Sequence, residues 1–133
     1  MLGCGTREYR EVVPLSCVIV DDSPDFLRIA SGLLEQEGIH VVAAATTGEE
    51  AMEAVRRFRP DVALVDIELA GESGLDLVRQ IASADGGAPR SILISTHSGD
   101  DFAELIEGSP ALGFLPKAEL GADAIRALLE NSG

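Results

Sequence analysis

Tryptophan is absent from this 133-residue sequence and aromatic residues make up only 4% of it, so its core must be packed from aliphatic side chains. Hydrophobic residues still reach 46%, and that mix of Val, Ile, Leu and Ala suits parallel strands covered by helices. Basic residues are scarce as well. Ten Lys and Arg stand against 23 Asp and Glu, a formal net charge of −13. Such a chain repels phosphate backbones and anionic lipid, and its basic residues form no cluster longer than Arg56-Arg57. This argues against direct binding to nucleic acid or to a membrane surface. Of the two cysteines, Cys4 lies in the leading residues and Cys17 opens an apolar run, without metal-ligand spacing. We read from them a reducing, cytoplasmic protein. No apolar run approaches a membrane span, and MLGCGTREYREVV lacks the apolar core of a signal peptide. The length fits one domain.

What is present is an alternation of short apolar runs and amphipathic stretches. Residues 1–15 mix Gly, Arg, Glu and Pro14 without periodicity and read as a flexible leader, with the domain occupying residues 16–133. Cys17 to Val20 is a fully apolar run, the form of a central parallel strand, and it ends in Asp21-Asp22. Ser23 and Pro24 suit a helix start, after which Phe26, Ile29, Ala30 and Leu33 recur at helical spacing until Gly38. Ile39 to Ala45 reads as a second strand. Thr47 with Glu50 forms a capping box for a helix with Ala51, Ala54, Val55 and Phe58 on one face, ended by Pro60. Val62 to Val65 is the third strand and delivers Asp66 to its end. A polar, glycine-bearing loop follows, then a helix from Ser73-Gly74 with Leu75, Val78, Ile81 and Ala82 as its apolar stripe, closed by Asp85-Gly86-Gly87. Ser91 to Ile94 is a fourth strand ending in Ser95-Thr96-His97. Asp100 to Glu107 is a short acidic helix, and Gly113 to Leu115 is a fifth strand terminated by Pro116-Lys117. Ile125, Leu128 and Leu129 line a last helix. Five strands alternating with five helices specify an α/β sandwich with a parallel sheet.

In such a sheet, ligands bind outside the carboxyl ends of the strands, where the loops leave a crevice. Successive strand ends here bring acids (Asp21, Asp22), an acid (Asp66), a hydroxyl (Ser95 or Thr96) and an amine (Lys117) to that edge. Taken singly, each has a plain explanation: adjacent Asp residues cap helices, a lone Lys is a solvated charge, and His97 is an ordinary exposed side chain. Independent decoration would rarely place all of them on one edge in that order. Packed carboxylates repel by about 4 kcal/mol per pair at about 4 Å and an effective dielectric near 20. A hard divalent cation offsets that repulsion, and Mg2+ accepts a few carboxylate and carbonyl oxygens with water or phosphate completing its shell. A hydroxyl, an ammonium and a metal around a free carboxylate cradle a transferring phosphoryl group, with Asp66 as nucleophile.

The segments VIVDDSPDFLRIASGLLEQEG, VALVDIELAGESGLDLV, ILIST and GFLPK resemble the receiver domain of two-component response regulators, over residues from about Ser16 to the C-terminus. The resemblance implies a flavodoxin-like (βα)5 sandwich of strand order 2-1-3-4-5 with helices on both faces. It makes Asp66 the phosphoacceptor and Asp22 a direct metal ligand, with Asp21 acting mainly through water and the main-chain carbonyl of Glu68 completing the protein's ligands to Mg2+ or Mn2+. Lys117 matches the family's lysine, Ser95 its switch hydroxyl and Phe114 its switch aromatic, while Glu68 and His97 fall where side chains tune phosphate lifetime. The implied partners are a sensor histidine kinase or a histidine phosphotransfer protein, and an output protein or effector domain. The expected activity is promotion of its own phosphorylation and autodephosphorylation only. Three features depart from the family's habit: Ala70 stands where Pro is frequent, Pro116 precedes the lysine and Ala118 follows it, and the fourth helix ends in Gly108-Ser109-Pro110. Two rival readings are a degenerate receiver serving as a phosphorylation-independent interaction module, and a haloacid dehalogenase-type phosphatase. The phosphatase pattern needs Asp-x-Asp on the first strand, which Asp21-Asp22 does not supply.

Overall fold

The computed structural model describes residues 15–69, 71–84, 88–96 and 103–131. Five strands, β1 (Ser16–Val20), β2 (His40–Ala45), β3 (Val62–Asp66), β4 (Arg90–Ser95) and β5 (Gly113–Pro116), form one parallel sheet in the order β2-β1-β3-β4-β5. Five helices connect or follow them: α1 (Pro24–Gln36), α2 (Gly48–Phe58), α3 (Gly74–Ala82), α4 (Ala103–Glu107) and α5 (Ala122–Asn131). The expected fold and strand order are both present. The residues expected to form a leader lie outside the described ones except Leu15, whose carbonyl accepts from His40 N at 2.7 Å and whose side chain packs against the core. His97, Ala70 and the Asp85-Gly86-Gly87 terminator also lie outside the described residues.

The central strands are buried on both faces because Cys17 to Val20, Val62 to Val65 and Ile92 to Ile94 are unbroken apolar runs, whereas edge strand β2 is only partly buried. Alternate residues feed two separate cores. Val18, Val20, Ala63, Val65 and Leu93 pack with α2 and α3, whereas Cys17, Ile19, Val62, Leu64, Ile92 and Ile94 pack with α1 and α5. Burial pushes the Cys17 thiol up to about 12, with Glu35 adding to the effect, so this cysteine behaves as a small hydrophobe.

Helix ends follow the sequence signals closely. Ser23 Oγ accepts from Phe26 N at 3.2 Å to start α1, and Gly38, at φ 95°, turns the chain away after it. Thr47 Oγ1 accepts from Glu50 N at 3.1 Å, and the Glu50 carboxylate reaches back to accept from Thr46 N at 2.9 Å. Helix α2 ends at Phe58 through Arg59, which adopts the left-handed conformation at φ 47° just before Pro60. The α5 N-terminus takes its cap from elsewhere: Ala122 N donates to Glu37 Oε1 at 2.7 Å, across 85 residues.

Helix faces follow the sequence less well. In α1 the buried positions are Leu27, Ala30 and Leu34, while Ile29 is 61% exposed and Leu33 37%. The apolar arc of this helix, from Ile29 round to Leu27, is wider than the strip the sheet covers, and the sheet took a face one residue round from the one expected. Phe58, expected inside, is 46% exposed at the last position of α2. On α3, Leu77 is buried where Ala82 was expected. The loop after Asp66 is also more regular than expected, since Glu68–Leu69 and Glu72–Ser73 pair as a small antiparallel hairpin.

Candidate functional site

Strand β1 ends one residue before Asp21 and β3 ends on Asp66, so two adjacent central strands deliver their carboxylates to the same edge. The backbone of Asp21 is held by donation from its N to Ala45 O at 3.0 Å on β2. Its side chain is wholly buried, with Oδ1 accepting from Ser23 N at 2.9 Å. Asp66 is buried too, and its Oδ1 accepts from Glu68 N at 2.9 Å. Asp22 is exposed at the mouth. Carboxylate oxygens of Asp21, Asp22 and Asp66 all lie within 4.8 Å of one another.

Lys117, opening a short 3-10 turn (Lys117–Glu119) after β5, brings its ammonium between the two buried acids. Nζ stands 2.5 Å from Asp21 Oδ2 and donates to Asp66 Oδ2 at 3.1 Å. Pro116 before it and Ala118 after it do not keep it from the site. The same Nζ lies 4.5 Å from the centroid of the Phe26 ring, a cation–π contact that sequence reading missed because Phe26 reads simply as an apolar helix position. Burial alone would lower the Lys117 pKa, but its contacts with Asp21 and Asp66 outweigh that and hold it above the usual lysine value. Asp66 is raised above the usual carboxylate range, chiefly by burial and further by Asp21, against the opposing bonds from Glu68 N and Lys117.

The donor set fits a hard cation. Three carboxylates and one ammonium leave two negative charges uncompensated, and Asp21 Oδ2, fully buried, makes no directed hydrogen bond beyond its short ion-pair contact. An oxygen in that condition is a ready ligand for Mg2+.

The remaining expected residues are placed as follows. Ser95 is the last residue of β4 and is buried, opposite Pro116 on β5, whereas Thr96 is exposed. Alternation puts Ser95 on the same face as Leu93, which pairs with Phe114; Phe114 is half-buried against the core cluster that also contacts Ile106 and Ala111. The side chain of Glu68 is exposed beside the site.

The sequence places Gly74 at the start of a helix, but the reason glycine stands there is tertiary. A β-carbon there would overlap the Asp66 carbonyl oxygen and come within 2.8 Å of Ile67 Cα, while Gly74 N donates to Ile67 O at 2.9 Å. Glu72, which sequence reading did not single out, contacts Gly48 at the start of α2.

An acidic cluster with a lysine at the carboxyl edge of a five-stranded parallel sheet of this order is the arrangement that the receiver resemblance implies, and comparison with known proteins agrees on the family. The model of the response regulator receiver domain family matches residues 17–130, and the chain belongs to that family. Among curated relatives, a protein-glutamate methylesterase/protein-glutamine glutaminase from Natronomonas pharaonis is 36% identical over 91 residues, covering 68% of this chain and 25% of the relative. TcrX from Mycobacterium tuberculosis is 33% identical over 122 residues, covering 90% and 52%. The chain thus spans from a quarter to about half the length of these relatives. Among solved structures, a LuxR-family two-component response regulator from Aurantimonas sp. SI85-9A1 superposes with a TM-score of 0.73 at 30% identity, covering 90% of this chain and 87% of that one. The phosphatase alternative falls with this assignment. Among the described residues no helix is long and apolar enough to cross a membrane.

Proposed function

We propose that this receiver is phosphorylated on Asp66 within a cytoplasmic phosphorelay. A phosphohistidine on a sensor histidine kinase or a histidine phosphotransfer protein donates the group: an Asp66 oxygen attacks phosphorus, the phosphorus–nitrogen bond breaks, and its electron pair returns to the imidazole. The observation that carries the reading is Lys117, which meets Asp21 and Asp66 at once and so marks the spot where charge develops. Asp21, Asp22, Asp66 and the Glu68 main-chain carbonyl would hold Mg2+ or Mn2+. When bound, that ion neutralises charge on the phosphoryl oxygens.

Buried Ser95 and Lys117 supply the hydroxyl and ammonium that a phosphoryl group on Asp66 can recruit, and Phe114 beside them transmits the change to the β5 and α5 surface. By the family resemblance, Glu68 and His97 would tune the lifetime of the acyl phosphate by bordering the path of an attacking water. Beyond these two steps no enzymatic activity is assigned to the domain. Its output passes to a partner protein or to an effector domain, with no direct contact to nucleic acid or membrane by these residues. A fluoroberyllate titration tests this. The wild type should bind it only with Mg2+ present, and Asp66→Ala should not bind; a wild type that ignores fluoroberyllate would make the chain a phosphorylation-independent interaction module instead.

A further inference from the structure

The loop after Asp66 is tied down at a point outside the acidic cluster. Glu72, on the returning arm of the hairpin, sets its carboxylate against the first residue of α2, where Gly48 N donates to Oε1 at 3.0 Å and to Oε2 at 3.2 Å. Gly48 is buried, and a β-carbon on it would overlap Glu72 Oε1, so glycine leaves the room that the carboxylate fills. The first amides of a helix have no partner inside it, and the helix dipole favours an anion there. The contact is therefore a charge-assisted bond between elements 24 residues apart.

The same arm reaches the site from its other side. Glu72 pairs with Leu69 and Ser73 with Glu68, and Glu68 N donates to Asp66 Oδ1. We propose that Glu72 is a positioning residue for the acidic site: by clamping the hairpin onto α2, it fixes the Glu68 main chain, whose N–H orients Asp66 and whose carbonyl would face the cation. The role of that carbonyl rests on the receiver reading above.

The test uses Glu72→Ala, Glu72→Gln, Gly48→Ala and the Glu72→Ala/Gly48→Ala double variant of the full chain. Two quantities are read: the Gly48 amide resonance in the metal-free protein, for the Glu72 variants, and Mg2+ affinity from the amide shifts of Ile67 to Leu69. Glu72→Ala should move the Gly48 resonance and weaken Mg2+ binding about tenfold, the lower end of what groups that orient a metal's ligands contribute. Glu72→Gln keeps an acceptor oxygen and should recover most of the affinity. Gly48→Ala favours the helix yet expels the carboxylate, so it should weaken Mg2+ binding by itself and add nothing in the Glu72→Ala background. Mg2+ affinity unchanged in Glu72→Ala, whatever happens to its thermal stability, overturns the positioning role alone. A wild type that binds neither Mg2+ nor fluoroberyllate overturns the receiver reading and this role with it.

Discussion

The carbonyl oxygen of Asp66 occupies the space that a side chain on Gly74 would need. The candidate phosphoacceptor and the first residue of α3 are in backbone contact across the hairpin, and the bond from Gly74 N to Ile67 O closes that contact at 2.9 Å. Gly74→Ala must push the chain apart at the point where Asp66 is aimed. We expect a loss of about 1–3 kcal/mol, the cost of forcing atoms into a packed site, together with weaker Mg2+ binding. Denaturant unfolding and a Mg2+ titration check this, and wild-type values for both would show that the loop yields without moving Asp66.

Asp66→Asn separates chemistry from stability. Labelling by a small phosphodonor with Mg2+, read by intact mass, should disappear. Because burial raises the Asp66 pKa, its stabilising contribution is present below the unfolded carboxyl value and is lost as pH rises through the folded one. The uncharged amide escapes that loss. Without Mg2+, Asp66→Asn should therefore melt higher than wild type at pH 7, on the order of a few degrees, with the gap closing toward pH 4. A lower melting temperature at pH 7 would mean that the bonds from Glu68 N and Lys117 outweigh burial.

Lys117→Gln leaves the buried Asp21 carboxylate without its counter-ion. Removing one partner of a buried pair costs several kcal/mol, and since the Lys117 side chain keeps 15% exposure we expect about 2–4 kcal/mol. Lys117 has a raised pKa, so its contribution is complete below the unfolded lysine value and is lost only as pH rises through the still higher folded one. The deficit should accordingly be flat across neutral pH. Mg2+ should restore part of it by replacing the missing positive charge, which thermal melts with and without the ion can show. Melts indifferent to Mg2+ would contradict a cation site at these carboxylates.

Ser95→Ala tests the switch. The variant should bind fluoroberyllate with Mg2+, yet amide shifts from Phe114 through α5 should stay near their unliganded values, since the bond that favours the inward state is gone. Full wild-type shifts would assign the role elsewhere, with exposed Thr96 the next residue to replace.

Replacing Glu68 and His97 together by Ala should change the half-life of the acyl phosphate severalfold and leave thermal stability unaltered. An unchanged half-life would return both to ordinary surface residues.

The sequence by itself determined the layers and the edge. Buried parallel strands must be apolar throughout, so each apolar run announced itself, and the residue breaking each run had to emerge at the carboxyl edge; Asp21, Asp66, Ser95 and Lys117 were legible for that reason. Local caps such as Ser23 and Thr47 were legible too, because their bonds close within a few residues. Tertiary structure alone decided which part of the apolar arc of α1 faces the sheet, since that arc is wider than the strip the sheet covers, and Ile29 and Leu33 ended outside. It also decided the contacts between distant segments: Phe26 over Lys117, Glu37 on α5 and Glu72 on Gly48. A carboxylate that caps a helix from 24 or 85 residues away has no spacing rule, because its partner is chosen by how the layers pack and not by the chain between them.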